Sequence, residues 1–190
     1  MITETHDMTR CFGGGDPLYE EYHDHEWGHE VHGDNAIYER MVLEGFQSGL
    51  SWLTILRKRE NFRAAFAGFD ADAVAQFTED DVERLLADEG IVRNRLKVQA
   101  AIANARAVVA LRESGGSLSE LVWSHAPAEP RLEPPATWND VPASTPESKA
   151  LAKELKAHGF TFVGPTTMYA LMQAVGMVND HVAGCAALKD

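Results

Sequence analysis

The chain has 190 residues, 45% of them hydrophobic, and its 17 basic and 29 acidic residues give a formal net charge of −12. This length and apolar content allow a sizeable buried core, so size alone does not require a disulfide or another cross-link. The acidic balance argues at first sight against a nucleic-acid partner, but the basic residues are clustered at 57–59 and 93–97, where a local basic surface could form. The alternative is that each cluster is a solvated helix face.

No run of 18 uncharged apolar residues occurs, and the first ten residues are polar. Both observations argue against a membrane-spanning helix and a signal peptide. We therefore expect a cytoplasmic protein with no membrane partner. Thiols are reduced in that compartment, so metal binding or simple burial explains Cys11 and Cys185 better than a disulfide between them.

Strong helix formers dominate from residue 35 to 112, and alternation of β-branched and aromatic residues is almost absent, which predicts an all-α fold. Thr145 directly before Pro146 is a helix-start signal, and Gly159 is typical of a helix end. In chain order, the pattern predicts helices near residues 17–26, 35–47, 51–58, 60–67, 71–76, 79–87, 92–113, 117–124, 146–157 and 166–176.

Residues 126–146 contain six of the eight prolines, so we expect no regular element there. The segment is predicted to be an extended connection that crosses the surface. A connection of this length inside a compact chain suggests that the helices of 147–185 pack back against the N-terminal region.

Helical spacing of apolar residues on both sides of Gly90 predicts two helices joined by a tight turn. Gly90 can adopt backbone conformations that other residues resist, and N–H groups at the turn and at the next helix start could face an anion. Arg93, Arg95 and Lys97 lie close to the same point. A helix-hairpin-helix element binds a DNA phosphate in this way, without reading the base sequence. The alternative is an ordinary helix turn with a capping glycine.

The two ends of the chain carry matching chemistry. Cys11 and His23 lie near one terminus, and His181 and Cys185, four positions apart, lie near the other. Two thiolates and two imidazoles can form a closed tetrahedral zinc site. Taken alone, the spacing leaves packing open, and His25 and His29 at helical i,i+4 spacing offer another place for a metal.

Four segments share their order and spacing with one known family: DPLYEEYHDHEWG (16–28), LEGFQSGLSWLTILRKRENFRAAF (43–66), DVERLLADEGIVRNRLKVQAAIANARA (81–107) and GFTFVGPTTMYALMQAVGMVNDHVAGC (159–185). They resemble the bacterial DNA-3-methyladenine glycosylase I family, and the resemblance covers almost the whole chain after residue 10. It implies an all-helical helix-hairpin-helix DNA glycosylase fold whose termini are joined by one structural zinc ion. The implied zinc ligands are Cys11, His23, His181 and Cys185.

From the length and apolar content we expect one globular domain, 1–190, made of two interleaved lobes. The helix-hairpin-helix lobe spans about 35–119, and the zinc-tied lobe combines about 11–34 with 120–185. One departure concerns the loop after the first cysteine, where family members commonly have a tryptophan. This chain has Phe12 followed by Gly13–Gly15 and is one residue shorter before Asp16, so that wall of the expected pocket lacks the tryptophan of the family.

The resemblance places four aromatic residues around a base that has been flipped out of the DNA duplex: Tyr19, Tyr22, Trp27 and Trp52. Aromatic faces suit that task because they stack on bases. Composition alone would equally make these residues part of the core. Glu44 is the implied base-recognition carboxylate, although its helical position also permits an exposed pair with Arg40.

The same resemblance places Gln47, Gly49 and Leu50 where side chains enter the gap left by the flipped nucleotide. Together with Gly90, Arg93, Arg95 and Lys97 they are the expected DNA contacts.

No aspartate occurs between Asp88 and Asp140, so the carboxylate that assists attack in most helix-hairpin-helix glycosylases is absent from its usual place. Methylation at N3 makes adenine cationic and a good leaving group, so little acid assistance is needed. We expect a monofunctional glycosylase that acts on double-stranded alkylated DNA as a monomer, with no protein partner implied. A non-catalytic zinc-stabilised DNA-binding module and a zinc hydrolase using His23, His25 and His29 are the alternatives.

Overall fold

The computed structural model describes residues 9–129, 131 and 133–188, and within these ranges it contains helices and no strand. Short 3-10 turns occur at Ala67–Phe69 and Trp138–Asp140. The α-helices in chain order are α1 (Pro17–His25), α2 (Asp34–Gln47), α3 (Trp52–Ala65), α4 (Ala71–Ala75), α5 (Glu79–Ala87), α6 (Arg95–Glu113), α7 (Leu118–Trp123), α8 (Pro146–Ala157) and α9 (Pro165–Ala174).

The all-α prediction is confirmed, with three local differences. The helices predicted at 51–58 and 60–67 are one continuous helix, α3, because no proline or glycine interrupts it. Helix α6 begins at Arg95 rather than at 92, because extended Asn94 caps it by accepting a hydrogen bond from the Lys97 N–H at 3.1 Å. The proline-rich connection contains the 3-10 turn 138–140, where no regular element was expected.

Helix α2 is the central element of the core. Every residue from Met41 to Phe46 is buried, because other helices pack on more than one side of α2. Beside it, the rings of Phe46, Phe62 and Phe66 form a cluster in which every pair of centroids is 4.7 to 6.3 Å apart. A helix that is enclosed in this way buries its polar residues together with its apolar ones.

The two ends of the described chain pack together, as the length of the proline-rich connection suggested. The backbone that follows α1 meets the end of α9: the Gly28 N–H donates to the Gln173 carbonyl at 3.2 Å, and the Val31 N–H to the Val175 carbonyl at 3.1 Å. Farther toward the termini, the Ala186 N–H donates to the Thr9 carbonyl at 2.9 Å. None of the helices in the described ranges is long and apolar enough to span a membrane.

The contact between the two ends predicts the effect of a side chain at Gly176. This residue has a φ of +74°, and a Cβ there would lie 2.4 Å from the His29 carbonyl carbon. We expect Gly176→Ala to lower the free energy of unfolding by several kcal/mol, because the backbone of 29–30 must move. Urea denaturation measures the change.

Gly115 is the matched control, since its φ is +86° but nothing lies within 4 Å of a Cβ there. Gly115→Ala should cost only about 1 kcal/mol, the conformational penalty of a left-handed residue. Equal losses in the two variants would contradict the close approach of the two backbones.

Candidate functional site

Four side chains from the two ends of the chain meet at one point: Cys11, His23, His181 and Cys185. Their ligand atoms all lie within 4.8 Å of one another. Each cysteine sulfur lies 3.1 to 3.5 Å from the Nε2 of His23 and the Nδ1 of His181. In a tetrahedral site with ordinary metal–sulfur and metal–nitrogen distances this separation is about 3.5 Å. The group could therefore hold a metal ion with little rearrangement.

The surroundings favour neutral imidazole nitrogens that face the two sulfurs. The Nδ1–H of His23 donates to the Asp24 carboxylate at 2.8 Å, which leaves Nε2 as the atom that faces both sulfurs. Arg10 donates to the same carboxylate at 2.7 Å and holds the pKa of Asp24 at about 2. Burial, with His23 as the next cause, lowers the pKa of His181 to about 4, so its imidazole is neutral at pH 7.

The other histidines of the same segment do not join this group. His25 is exposed and lies 3.8 Å from the Glu21 carboxylate, while His29 contacts the Asp24 carbonyl at 3.4 Å. Among the residues that the structure describes, this group of two cysteines and two histidines is the one cluster of three or more side chains that could hold a metal ion. The alternative site built from His23, His25 and His29 is therefore not formed.

A cavity of about 350 Å³ lies beside the four-residue cluster, within the usual size range of small-molecule sites. All five residues predicted to surround a flipped base line it: Tyr19, Tyr22, Trp27, Glu44 and Trp52. Sequence reasoning missed four further lining residues or gave them no such role, namely Phe12, Trp138, Ala170 and Gln173. Gln47, which was predicted to contact DNA, also lines the cavity.

Aromatic rings form most of the cavity wall. The rings of Tyr22 and Trp52 have centroids 5.3 Å apart on one side, and Phe12 lies 5.1 Å from Tyr19 and 5.1 Å from Trp27. The indole N–H of Trp52 is buried and finds no acceptor in the described part of the chain. A buried donor without a partner is costly in a folded protein, so its presence at this cavity points to a ligand acceptor.

Glu44 is the buried carboxyl of this cavity, with a relative exposure of 6%. The described residues offer it no hydrogen-bond donor, and burial raises its pKa to about 8, against a smaller opposing effect of Arg40. Arg40 instead donates to Glu26 at 3.0 Å. Much of the Glu44 population is therefore protonated at neutral pH, and a cation in the cavity would favour the ionised form.

The four-residue cluster directly supports the cavity wall. The ring of Phe12 packs edge-on against His23 at 4.6 Å, and Trp27 packs edge-on against His181 at 4.7 Å. The wall on this side thus depends on the closure of the two ends of the chain.

The turn that follows α2 presents an apolar side chain next to the cavity. Gly49 has a φ of +82°, and Leu50 is 37% exposed. The turn is closed by hydrogen bonds of 2.7 Å between Gln47 and Leu50, and the ammonium of Lys97 donates to the carbonyls of Phe46 and Ser48 at 2.9 and 2.6 Å. Lys97 therefore supports the turn.

The second cluster of predicted DNA contacts lies between α5 and α6. A glycine at this turn suggested a positive φ, but Gly90 does not have one. Its N–H donates to the Asp88 side chain at 2.7 Å instead of facing outward. Glycine is needed because a Cβ would lie 2.9 Å from that carboxylate and 3.0 Å from Asn61. Arg95 pairs with carboxylates of α5 at 2.7 and 2.5 Å, and Arg93 lies 3.7 Å from Glu89.

Comparison with known proteins gives one consistent answer. The family model described as methyladenine glycosylase matches residues 12–188. DNA-3-methyladenine glycosylase 1 of Escherichia coli (strain K12) is 49% identical over 179 residues, which are 94% of this chain and 96% of that protein. A crystal structure of 3-methyladenine DNA glycosylase I has a TM-score of 0.90 and 49% identity, and the match covers 94% of this chain and 98% of that one.

A more distant relative has the same fold. The Staphylococcus aureus 3-methyladenine DNA glycosylase I, whose structure concerns 3-methyladenine recognition, has a TM-score of 0.89 and 34% identity, with coverage of 96% and 98%.

The raised pKa of Glu44 predicts a pH-dependent stability effect of Glu44→Gln. A carboxyl whose pKa rises on folding destabilises the folded state as pH increases from its unfolded pKa to its folded one. We expect the variant to match the wild type near pH 4.5 and to become more stable than it by several kcal/mol as pH approaches about 8. Chemical denaturation across this range measures the difference.

Glu60→Gln is the control, because its side chain is 78% exposed and solvent screens its charge. Its stability difference from the wild type should stay nearly constant over the same pH range. A constant difference for Glu44→Gln as well would contradict the buried, unpaired state of that carboxyl.

Proposed function

The chain belongs to the methyladenine glycosylase family, and we propose that it hydrolyses the N-glycosidic bond of 3-methyladenine in alkylated DNA. The family resemblance indicated by the sequence is thereby confirmed. The relatives at 49% and 40% identity are both named DNA-3-methyladenine glycosylases and match over more than nine tenths of this chain. The chain is accordingly a base-excision glycosylase.

The observation that carries the proposal is the buried carboxyl of Glu44 in a cavity walled by aromatic rings. A base that is to be cleaved from DNA must leave the stack and be held, and aromatic faces with a hydrogen-bonding group at one edge suit that task. A DNA-binding module without catalysis would not need a buried acid in such a cavity. The pocket therefore favours base excision over the binding-module alternative.

The charge of the substrate explains why a costly carboxyl is kept in the pocket. A 3-methylated adenine in DNA is cationic, so it favours the ionised form of Glu44, and the carboxylate in turn accepts hydrogen bonds from the exocyclic amine. Aromatic faces such as those of Tyr22 and Trp52 attract the same cation. An uncharged adenine neither favours the ionised form of Glu44 nor gains the attraction between a cation and the aromatic faces. We propose that this difference selects the alkylated base.

The cleavage step needs little from the protein beyond binding and orientation. The methylated base is already a good leaving group, and water attacks C1′ as the bond to the base breaks, which leaves an abasic site. This agrees with the absence of an aspartate between Asp88 and Asp140.

The proposed partner is double-stranded alkylated DNA. The turn of Gln47, Gly49 and Leu50 lies beside the cavity, where an exposed apolar side chain could fill the gap left by the flipped nucleotide. Lys97 remains a proposed contact with the DNA backbone, although its ammonium already donates to carbonyls of the turn after α2. Arg93, Arg95 and Gly90 are also kept as proposed backbone contacts, although their polar groups are paired with acidic side chains of the hairpin. Phosphate would have to compete with those carboxylates.

We propose that the cluster of Cys11, His23, His181 and Cys185 binds one structural zinc ion. The donor set and the 3.1 to 3.5 Å separations suit tetrahedral zinc, and four protein ligands leave no position open for a water nucleophile. The ion would cross-link the two ends of the chain.

Both cysteines serve this cluster and must be reduced to do so, which supports a cytoplasmic location. The monomeric state and the division into lobes of about 35–119 and 11–34 with 120–185 also remain proposals.

Release of free 3-methyladenine from methylated duplex DNA tests the function. The wild type should release the base, and Glu44→Gln should lower kcat/KM about ten- to hundredfold, the effect of losing a hydrogen bond to a charged group. Chromatography of the released base, with the exposed Glu60→Gln as control, measures both.

Absence of release by the wild type would reject the assigned activity. Equal rates for Glu44→Gln and the wild type would reject only the role of Glu44.

The zinc proposal predicts that Cys185→Ala contains less metal and melts at a lower temperature than the wild type, because the cross-link between the two ends is lost. Elemental analysis and thermal denaturation measure these changes. His25→Ala should leave both unchanged, since His25 is exposed and outside the cluster. Undiminished metal content in Cys185→Ala would place the ion elsewhere.

A further inference from the structure

We propose that Trp138 is a base-contacting residue that forms one wall of the pocket and contributes to substrate affinity. The inference rests on the proposed glycosylase function and adds a residue to it. Trp138 comes from the proline-rich connection, which was predicted to be an extended connection across the surface.

The position of Trp138 is fixed at both its backbone and its side chain. Its 3-10 turn is closed by a capping box in which the Asp140 carboxylate accepts hydrogen bonds of 2.9 Å from the N–H and hydroxyl of Thr137. The indole N–H of Trp138 donates to the Cys11 carbonyl at 2.7 Å, across 127 positions of sequence. The ring is therefore anchored at its polar edge, and its faces remain available for packing.

The ring adjoins the cavity and is not fully covered by the protein. Its centroid lies 5.9 Å from that of Phe12 and 6.0 Å from that of Trp27, and the residue is 41% exposed. Trp138 lines the same cavity as Trp52 and Glu44. A large apolar ring that is exposed beside an aromatic cavity gains most when a flat ligand covers it.

The local sequence explains why the connection supplies this wall. After Cys11, the N-terminal loop offers only Phe12 before three glycines, residues 13–15, which have no side chain to turn toward the cavity. The surface that this short loop leaves open is the one beside Phe12, where the ring of Trp138 lies. The connection thus completes a wall that the N-terminal loop cannot complete by itself.

The test is the affinity of the protein for free 3-methyladenine, measured by isothermal titration calorimetry, together with kcat/KM on methylated duplex DNA. Removing a ring that stacks on a base should weaken base binding in Trp138→Ala about tenfold or more. Trp138→Phe keeps an aromatic face and loses the indole N–H, so it should retain most of the affinity. Metal content and melting temperature, measured on the same samples, should remain close to those of the wild type.

Trp123→Phe is the matched control. That indole donates to the Val31 carbonyl at 2.9 Å and stacks on His32 at 4.6 Å, and it does not line the cavity. Its replacement should leave the affinity for 3-methyladenine unchanged.

Three results would overturn the inference, and they can be told apart. If Trp138→Ala binds 3-methyladenine within twofold of the wild type, the ring does not contact the base. If its affinity falls only together with its metal content, Trp138 acts through Cys11 and not on the base. If the wild type neither binds nor releases 3-methyladenine, the proposed function fails and this inference fails with it.

Discussion

The closure of the two ends of the chain is the constraint on which the rest of the site depends. Cys11 and His181 are 170 positions apart, yet their ligand atoms lie 3.3 Å from each other. The rings of Phe12 and Trp27 pack on the two histidines of this cluster, and the Cys11 carbonyl holds Trp138. One wall of the pocket is therefore built on the cluster that joins the two ends of the described chain, and the shape of the pocket depends on that cluster.

The opposite side of the pocket depends on helix α2, and its chemistry works against stability. Glu44 is buried because helices pack on several sides of α2, and burial raises its pKa to about 8. An ionised carboxyl at such a position destabilises the folded state. In the proposed function, a cationic base in the cavity offsets this cost. A buried ionisable group that has no compensating partner among the described residues is typical of functional sites.

Local signals in the sequence predicted most of the helices, because caps and apolar spacing act over a few residues. Predictions from these signals were wrong where the structure depends on residues that are distant in the chain but close in space. The two helices predicted at 51–58 and 60–67 are one helix, α3. At the turn, Gly90 is required by the close approach of Asp88 and Asn61 and not by a positive φ. Trp138 carried no signal in the sequence, because its contacts with Cys11, Phe12 and Trp27 join segments that are far apart in the chain. The family resemblance supplied the pocket residues that spacing alone left open.

Residue types and short-range spacing were sufficient to predict the all-α fold. The family, and with it the four candidate metal ligands near the two ends of the chain, came from the resemblance of four long segments to one family. The packing of distant segments was needed to show that Glu44 is buried without a hydrogen-bond donor among the described residues, that Lys97 supports the turn after α2, and that Trp138 lines the pocket. Each of these depends on contacts between residues far apart in the chain, and a helical pattern cannot specify which side of a helix another element will cover.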